Sequence, residues 1–573
     1  MPLLQFSGKN VRAIHKSQPR KSYSSACALL LLPISLCAPF ACSQQKDPAA
    51  SADPVLHAMS MELERSRSSL KLDQVAAPYY IEYRVIDADE YVADAAYGAV
   101  RSSLRNRTRM LRVSVRIGDY KQDSYRGGKG EGAISVVPLD DDLIAMRHQI
   151  WEATDRAYKT AAQELTAKQA QLKQYTTPDE PVDDFARAEP VQSVGALVKL
   201  DFDPEPWLAI LQNGSSVYKD DPSLQSIDAS LRFQAVNRYF LNSEGTVVRS
   251  GYNLYEMTIA ESTQAADGMK LERSHAFTVA GMKELPSKES FHAEAAKLLS
   301  TLRDLRDAPL ADEEYRGPVL LSADAAASVF SGLVGDHILG RRPELGKTGR
   351  TTGDFAASYR TRVLPDFLSM VDDPTIASFR GQSLLGNYAI DDEGVKAQRV
   401  SVIENGKLID YLVGREPIRD FPASNGHGRA RIPTNAPGPS LGNLIITASE
   451  TSTPAELKRK LIEMCQQRDL PYGYFVETFG PQRIPRLLYK VWAKDGHEEL
   501  VRGGTFGDLD TRALRSDLVA AGNDFYVESQ TLNIPHSIVS PSILFDELEI
   551  KRSTANKDTL PDYSPPALVP GTL

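Results

Sequence analysis

The residues able to hold a metal or act as a nucleophile are few, and their spacing decides against the common sites. The nine histidines are His15, His57, His148, His275, His292, His337, His427, His497 and His536. No two lie three, four or five positions apart, so neither a helical pair nor a finger-type pair shares a zinc ion. The four cysteines, Cys27, Cys37, Cys42 and Cys465, form no Cys-x-x-Cys. No Gly-x-x-x-x-Gly-Lys-Ser/Thr phosphate loop occurs. Cys465 lies in the amphipathic run LKRKLIEMCQQ, which predicts a buried apolar thiol rather than a nucleophile.

Two polar clusters remain. Asp391-Asp392-Glu393 offers carboxylates for a metal or for acid/base work. Gly394 follows at once, however, and the pattern predicts a solvated turn before a strand. Ser424-Asn425-Gly426-His427-Gly428-Arg429 is Gly-rich and polar. Such a loop either brings backbone N–H groups to a ligand or is a flexible surface loop.

The elements that would position these residues are readable from periodicity. Leu111 to Ile117 alternates apolar and polar residues, the period of a strand with one face buried. Tyr79–Val85 and Tyr91–Arg101 are two further strand candidates. Asp140-Asp141-Asp142 caps a long helix whose apolar stripe, Ile144, Ile150, Ala157, Ala161, Leu165 and Leu172, runs toward Tyr175. The acidic, Pro-containing segment 177–184 ends it. A second helical stretch covers 287–306. Arg238 to Val248 reads as a hairpin turning at Glu244-Gly245. From about Gly386 the chain is dense in short strands. Val400–Ile403 and Leu408–Val413 flank Asn405-Gly406, a type I′ turn signal, and Tyr489–Ala493 and Glu498–Val501 flank a second hairpin turn. This pattern predicts an antiparallel, partly barrel-like sheet.

The composition is that of a globular protein: 573 residues, 42% apolar and 25% charged, with 66 basic and 75 acidic side chains and a net charge of −9. That balance speaks against a nucleic-acid binder, and four cysteines speak against a disulfide scaffold. The first 41 residues read as a targeting segment. No acidic residue precedes Asp47, five basic ones precede Ala26, and an apolar stretch from Ala26 to Ala41 follows. Cleavage would leave Cys42 at the start of the mature chain and available for lipidation, giving an anchor rather than a span. The expected location is extracytoplasmic (periplasmic). Residues 42–56 read as a tether and the Pro-rich 556–573 as an extended tail.

Taken together, Gly386 to Gly394, Gln398-Arg399, Val402 to Leu408 and Ser424 to Arg429 resemble the C-terminal signature of the TldD/PmbA proteins. The Asn242-Ser243-Glu244-Gly245 hairpin is similar to that family's N-terminal half. The resemblance spans about residues 60–552. It implies an α+β protein: an N-terminal α/β domain with long helices over 57–310, and a C-terminal, mainly antiparallel, barrel-like β domain over 311–555. It also implies a heterodimeric peptidase in which one subunit carries zinc on a His-Glu-x-x-x-His helix plus a distant cysteine.

In this sequence Pro318–Leu321 is the strand before that helix, Ser322 its cap, 325–339 the helix and Gly340 its end. The motif positions then hold Ser331, Gly332 and Asp336. A one-residue slip would bring His337 to the second histidine, but Gly332 would then stand at the first. The cysteine should precede Asn533-Ile534-Pro535-His536, where Tyr526-Val527-Glu528-Ser529 stand instead. His337 is then expected as a histidine at the helix C-terminus, favoured by the dipole.

The expected protein is an exported, zinc-less PmbA/TldE-like subunit with no cofactor of its own. It would act on peptides with a TldD-like zinc-bearing subunit, as a heterodimer or homodimer. The alternatives are a zinc peptidase with atypical ligands drawn from His337, His427, His536 and a carboxylate, or a non-enzymatic envelope binding protein.

Overall fold

The computed structural model describes residues 52–554 except 72, 74, 127–131, 175–181, 348, 431–435 and 532–533, together with 558–561, 563 and 566. The targeting segment, Cys42 and much of the tail therefore lie outside the described residues.

The N-terminal half is built on one long-stranded sheet. Strands β1 (Tyr80–Ala96), β2 (Ala99–Arg116), β3 (Ala133–Val136), β4 (Gln192–Val194), β5 (Ser226–Asn242), β6 (Val247–Gln264) and β7 (Lys270–Val279) run in the order β3-β2-β1-β5-β6-β4, with β7 also on β6. The second and third strand candidates differ from expectation. Tyr79–Val85 and the start of Tyr91–Arg101 are one continuous strand, β1, and the chain turns at Tyr97-Gly98, where both residues take positive φ. The polar residues between them extend the strand because β2 and β5 flank it on both sides.

Helices Pro54–Ser69 and Leu143–Leu172 pack on one region of this sheet, around Ile81, Tyr83, Leu111, Val113 and Tyr239. Asp142 caps the long helix, its Oδ1 accepting from Ala145 N at 2.7 Å. Its buried stripe is Met146, Ile150, Ala153, Ala157, Tyr158 and Ala161. Ile144 faces solvent at 78% exposure, because the first turn points Met146 inward instead. Pro54, Val55 and Leu56, at the end of the expected tether, open the first helix. Asp53 Oδ1 caps it by accepting from Val55 N and Leu56 N. Helix Lys288–Asp307 begins at its cap Ser287 and buries Phe291, Ala295, Leu298 and Leu302 over β6 and β7.

The C-terminal half wraps two sheets around one core running from Ala311 to Ile550. One sheet centres on β8 (Glu314–Leu321), flanked by Tyr472–Phe479 in parallel and Ile543–Arg552 antiparallel. The other centres on β9 (Leu368–Asp372), flanked by Val400–Glu404 and Asn443–Ala448. The C-terminal sheet curls strongly into a half-barrel, and the fold is α+β. The Asn405-Gly406 turn has φ of 46° and 74°, as a type I′ turn requires. Its returning strand is only Lys407–Leu408, shorter than expected.

The helix after β8 is also shorter than expected. It runs Ala323–Leu333, capped by Ser322 Oγ on Ala325 N at 3.1 Å. Val334 leaves the helical region at φ −122°, and a 3₁₀ turn, Gly335–Ile338, follows. Gly332, Val334 and Gly335 are poor helix formers, so the last turn is lost.

Candidate functional site

The signature segments meet between the two halves of the molecule. Asp391, Asp392 and Glu393 do not form a solvated turn; they are only 4%, 9% and 7% exposed. Burial is tolerated because each carboxylate has partners. Asp391 accepts from Glu393 N, Val395 N and Gly428 N at 2.8–2.9 Å. Burial and the neighbouring Glu393 push its pKa up against those bonds. Burial works against ionised Asp392 as well, but Arg238, Arg429 and Arg84 outweigh it and hold its pKa low. Arg238 Nη1 lies 2.8 Å from Asp392 Oδ1, Arg429 Nε 3.4 Å from Oδ2, and Arg84 Nη2 donates to the Asp392 carbonyl at 2.7 Å.

The 424–429 loop closes on this cluster. Gly428 N and Ala430 N are taken by Asp391 and Asp392. His427 is fully buried. Its Nε2 faces Asp372 Oδ1 at 3.2 Å, and its Nδ1 faces both oxygens of Asn425 at 3.0–3.1 Å. With oxygens on both ring nitrogens, neither nitrogen of His427 is open to a metal. Asn425 Oδ1 also accepts from Val413 N, and Gly426 carbonyl from Tyr388 OH. These five loop residues are thus internal struts.

Arg415 is the second link between the halves. It is fully buried, bidentate to Glu244 at 2.7 and 2.8 Å, and donates Nε and Nη2 to the Ala186 carbonyl. Burial opposes its charge, but Tyr80 and Glu244 outweigh this and raise its pKa. Sequence reasoning missed Arg84, Arg238 and Arg415. In the alternating run Tyr79–Val85 the polar positions read as a solvent face, yet Glu82 and Arg84 are 5% and 4% exposed. The available signal was that Arg84 and Arg238 lie in strands while an acidic triplet elsewhere in the sequence has no local explanation.

The degenerate motif positions lie elsewhere, on helix Ala323–Leu333 and just after it. This helix packs against strands Tyr526–Gln530 and His536–Ser540. The segment standing where the cysteine is expected is therefore beside the helix. Ser331 is half-buried, Gly332 is exposed, and Asp336, on the 3₁₀ turn, is exposed and paired with Arg341 at 3.2 Å. A β-carbon at position 332 would collide with Arg483 Nη1. A hydroxyl, a bare glycine and an exposed aspartate do not make the three ligands a zinc ion needs. Zinc does not fit the residues present. Among the described residues no group of three or more His, Cys, Asp or Glu side chains is placed to hold a metal.

His337 is not on the α-helix. Its Nδ1 accepts from Asp354 N at 3.0 Å. His536 Nδ1 lies 2.8 Å from the Ile534 carbonyl. Two carboxyl groups lie at the motif helix, Asp324 in its first turn and Glu528 on the adjacent strand; burial pushes Asp324 up to about 6 and Glu528 up to about 7. Cys465 is fully buried, and burial pushes its thiol up to about 11.

One further pattern has the letters of a nucleophile elbow: Gly438-Pro439-Ser440-Leu441-Gly442. An elbow needs a strand-to-helix turn. Here two strands flank it, and Ser440 N donates to the His427 carbonyl, whose ring is already committed. It is not a triad.

Residues 314–552 match the family model of the PmbA/TldA metallopeptidase C-terminal domain. A metalloprotease of Methanocaldococcus jannaschii is 25% identical over 331 residues, covering 55% of this chain and 67% of that protein. The metalloprotease PmbA of Escherichia coli O157:H7 is 27% identical over 192 residues, 33% of this chain and 39% of PmbA. The crystal structure of TldE from Thermococcus kodakarensis superposes with a TM-score of 0.56, covering 86% of this chain and 99% of that one. Its 15% identity speaks for the fold alone.

Proposed function

This chain belongs to the TldD/PmbA metallopeptidase-like family, and from that premise we propose that it is a zinc-less, PmbA/TldE-like subunit. It binds peptide and works with a zinc-bearing TldD-like partner that supplies the hydrolytic chemistry. The observation that carries this reading is the motif helix. Its setting beside Tyr526–Gln530 is kept, while Ser331, Gly332 and Asp336 offer neither ligands nor a general base for a metal-bound water. Export belongs to the same reading. Residues 1–41 act as a signal, and the mature chain begins at Cys42, which carries a lipid anchor in the periplasm.

The test is metal content and activity of the chain purified without a histidine tag. The expected result is no zinc and no hydrolysis alone, with peptide hydrolysis appearing when a relative carrying an intact His-Glu-x-x-x-His is added. Zinc near one per chain, with chelator-sensitive cleavage by the chain alone, would overturn the proposal. Mass spectrometry of the mature N-terminus checks the Cys42 start and its lipid.

A further inference from the structure

The hairpin joining Tyr472–Phe479 to Pro485–Trp492 lies against the motif helix, and three arginines on it or against it have few anionic partners. Gln482 and Arg483, at its tip, both take positive φ, 57° and 56°. Neither is glycine, so the turn is held in a conformation that costs energy, a recurrent feature of binding loops. This turn sets the Arg483 guanidinium directly over Gly332, in space that any side chain there would occupy. Arg483 makes no hydrogen bond or ion pair among the described residues. No carbonyl of the motif helix accepts from it, so it is not a helix cap.

Two more guanidinium groups border the same hairpin. Arg273, from β7, donates Nη1 to Thr478 Oγ1 at 2.9 Å. It is 9% exposed, its Nε is buried without a partner, and no carboxylate among the described residues lies within 4 Å. Arg486 bonds Ser274 Oγ at 2.9 Å and meets Glu272 only at 3.8 Å. Glu261, cross-strand from Arg273, makes no hydrogen bond to it. Glu477 and Asp324 face Arg273 from the hairpin and the motif helix without pairing. Glu477 instead accepts from Tyr489 OH. Of the three arginines along this hairpin, only Arg486 comes within 4 Å of a carboxylate, that of Glu272, among the described residues.

We propose that the hairpin tip binds a carboxylate of the peptide through Arg483 over Gly332, with Arg273 and Arg486 farther along the same hairpin adding positive charge. The inference rests on the peptide-binding reading and adds to it the group recognised. Guanidinium forks match a carboxylate in shape and charge. The carboxylate has two sources, the peptide C-terminus or an acidic side chain.

The experiment is fluorescence anisotropy of the purified chain with three dye-labelled pentapeptides: Gly-Ala-Leu-Ala-Gly with a free C-terminus, the same peptide amidated, and an amidated peptide with one internal Glu. The free acid, the Glu peptide or both should bind at least tenfold tighter than the neutral amide. Arg483→Gln, at the half-buried hairpin tip, should reduce that preference to less than threefold. Arg273→Gln should act likewise if its melting temperature matches the parent. Equal binding of all three peptides, or a preference that survives Arg483→Gln, would overturn the carboxylate site and leave the peptide-binding reading standing. Binding of none of the peptides would overturn both, and inorganic phosphate binding in their place would mark a phosphate site instead.

Discussion

Replacing Glu261 by glutamine should make the protein more stable in alkali and leave it unchanged in acid. Glu261 lies on β6 facing the core, 2% exposed, and neither carboxyl oxygen has a hydrogen-bond partner. Burial alone pushes its pKa from 4.5 to about 8. A raised carboxyl pKa means that the folded state holds the proton more tightly than the unfolded state. Its contribution is therefore fully present below about pH 4.5 and lost as pH climbs through 8. A shift of about 3.5 units at ~1.36 kcal/mol each costs the native state about 4–5 kcal/mol by pH 9. Full burial leaves solvent screening little to discount. Glutamine keeps the shape without the charge. If the N-terminal half melts as a unit of about 250 residues, 4 kcal/mol corresponds to roughly 8 °C in Tm. The assay is thermal unfolding of parent and Glu261→Gln from pH 5 to pH 9. The parent should lose stability across this range and the variant should lose markedly less, with the curves converging at pH 5. Parallel curves, or a variant less stable at pH 9, would refute the reasoning and show that Glu261 has a partner in solution.

Arg415→Ala should cost about 3–5 kcal/mol, because Glu244 is left uncompensated between the halves; loss of Tm by calorimetry checks it, and an unchanged melting curve counts against the link. Cys465 should resist iodoacetamide at pH 8 in the native protein and be alkylated fully in guanidinium, mapped on its own peptide, since it is fully buried with a pKa near 11. Restoring the motif with Ser331→His, Gly332→Glu and Asp336→His should not restore zinc: position 332 lies under Arg483 and position 336 is on a 3₁₀ turn. Stoichiometric zinc in that triple variant would show that the helix readily re-forms.

Much of the fold was legible because its signals are local. Asp142 caps its helix, the 287–306 stretch is helical, Asn405-Gly406 makes its type I′ turn, and Leu111 to Ile117 alternates as a half-buried strand. The errors arose where tertiary partners decide. Tyr97-Gly98 carries the turn only because β1 must return along β2. The motif helix ends early through Gly332, Val334 and Gly335, although Gly340 offers a more familiar stop. Asp391-Asp392-Glu393 looks solvated until Arg84 and Arg238, about 150 to 300 residues away in sequence, arrive beside it. Charge compensation across such separations leaves no local pattern, so the acidic triplet, the 424–429 loop and the arginines that join them could not be assembled from spacing.

The residues that make the family resemblance specific and the residues that would do its chemistry are different sets, held by different physics. Asp392 binds Arg84 and Arg238, Glu393 accepts from Arg415 N, and Arg415 pairs with Glu244, so these residues fasten one half of the molecule to the other. Removing Asp392, Arg415 or Glu244 strands a buried charge, so these residues are costly to lose whether or not the protein cleaves anything. Ser331 is half-buried, Gly332 and Asp336 are exposed, and Asp336 pairs only with Arg341 at the surface, so the fold asks little of these positions beyond room for Arg483 over Gly332. A chain freed from carrying metal can therefore lose its ligands without losing its shape. The space over Gly332, which a catalytic glutamate would fill, is then open to Arg483. In the proposed peptide-binding role, the guanidinium there would engage a peptide's oxygen atoms in place of a metal ion.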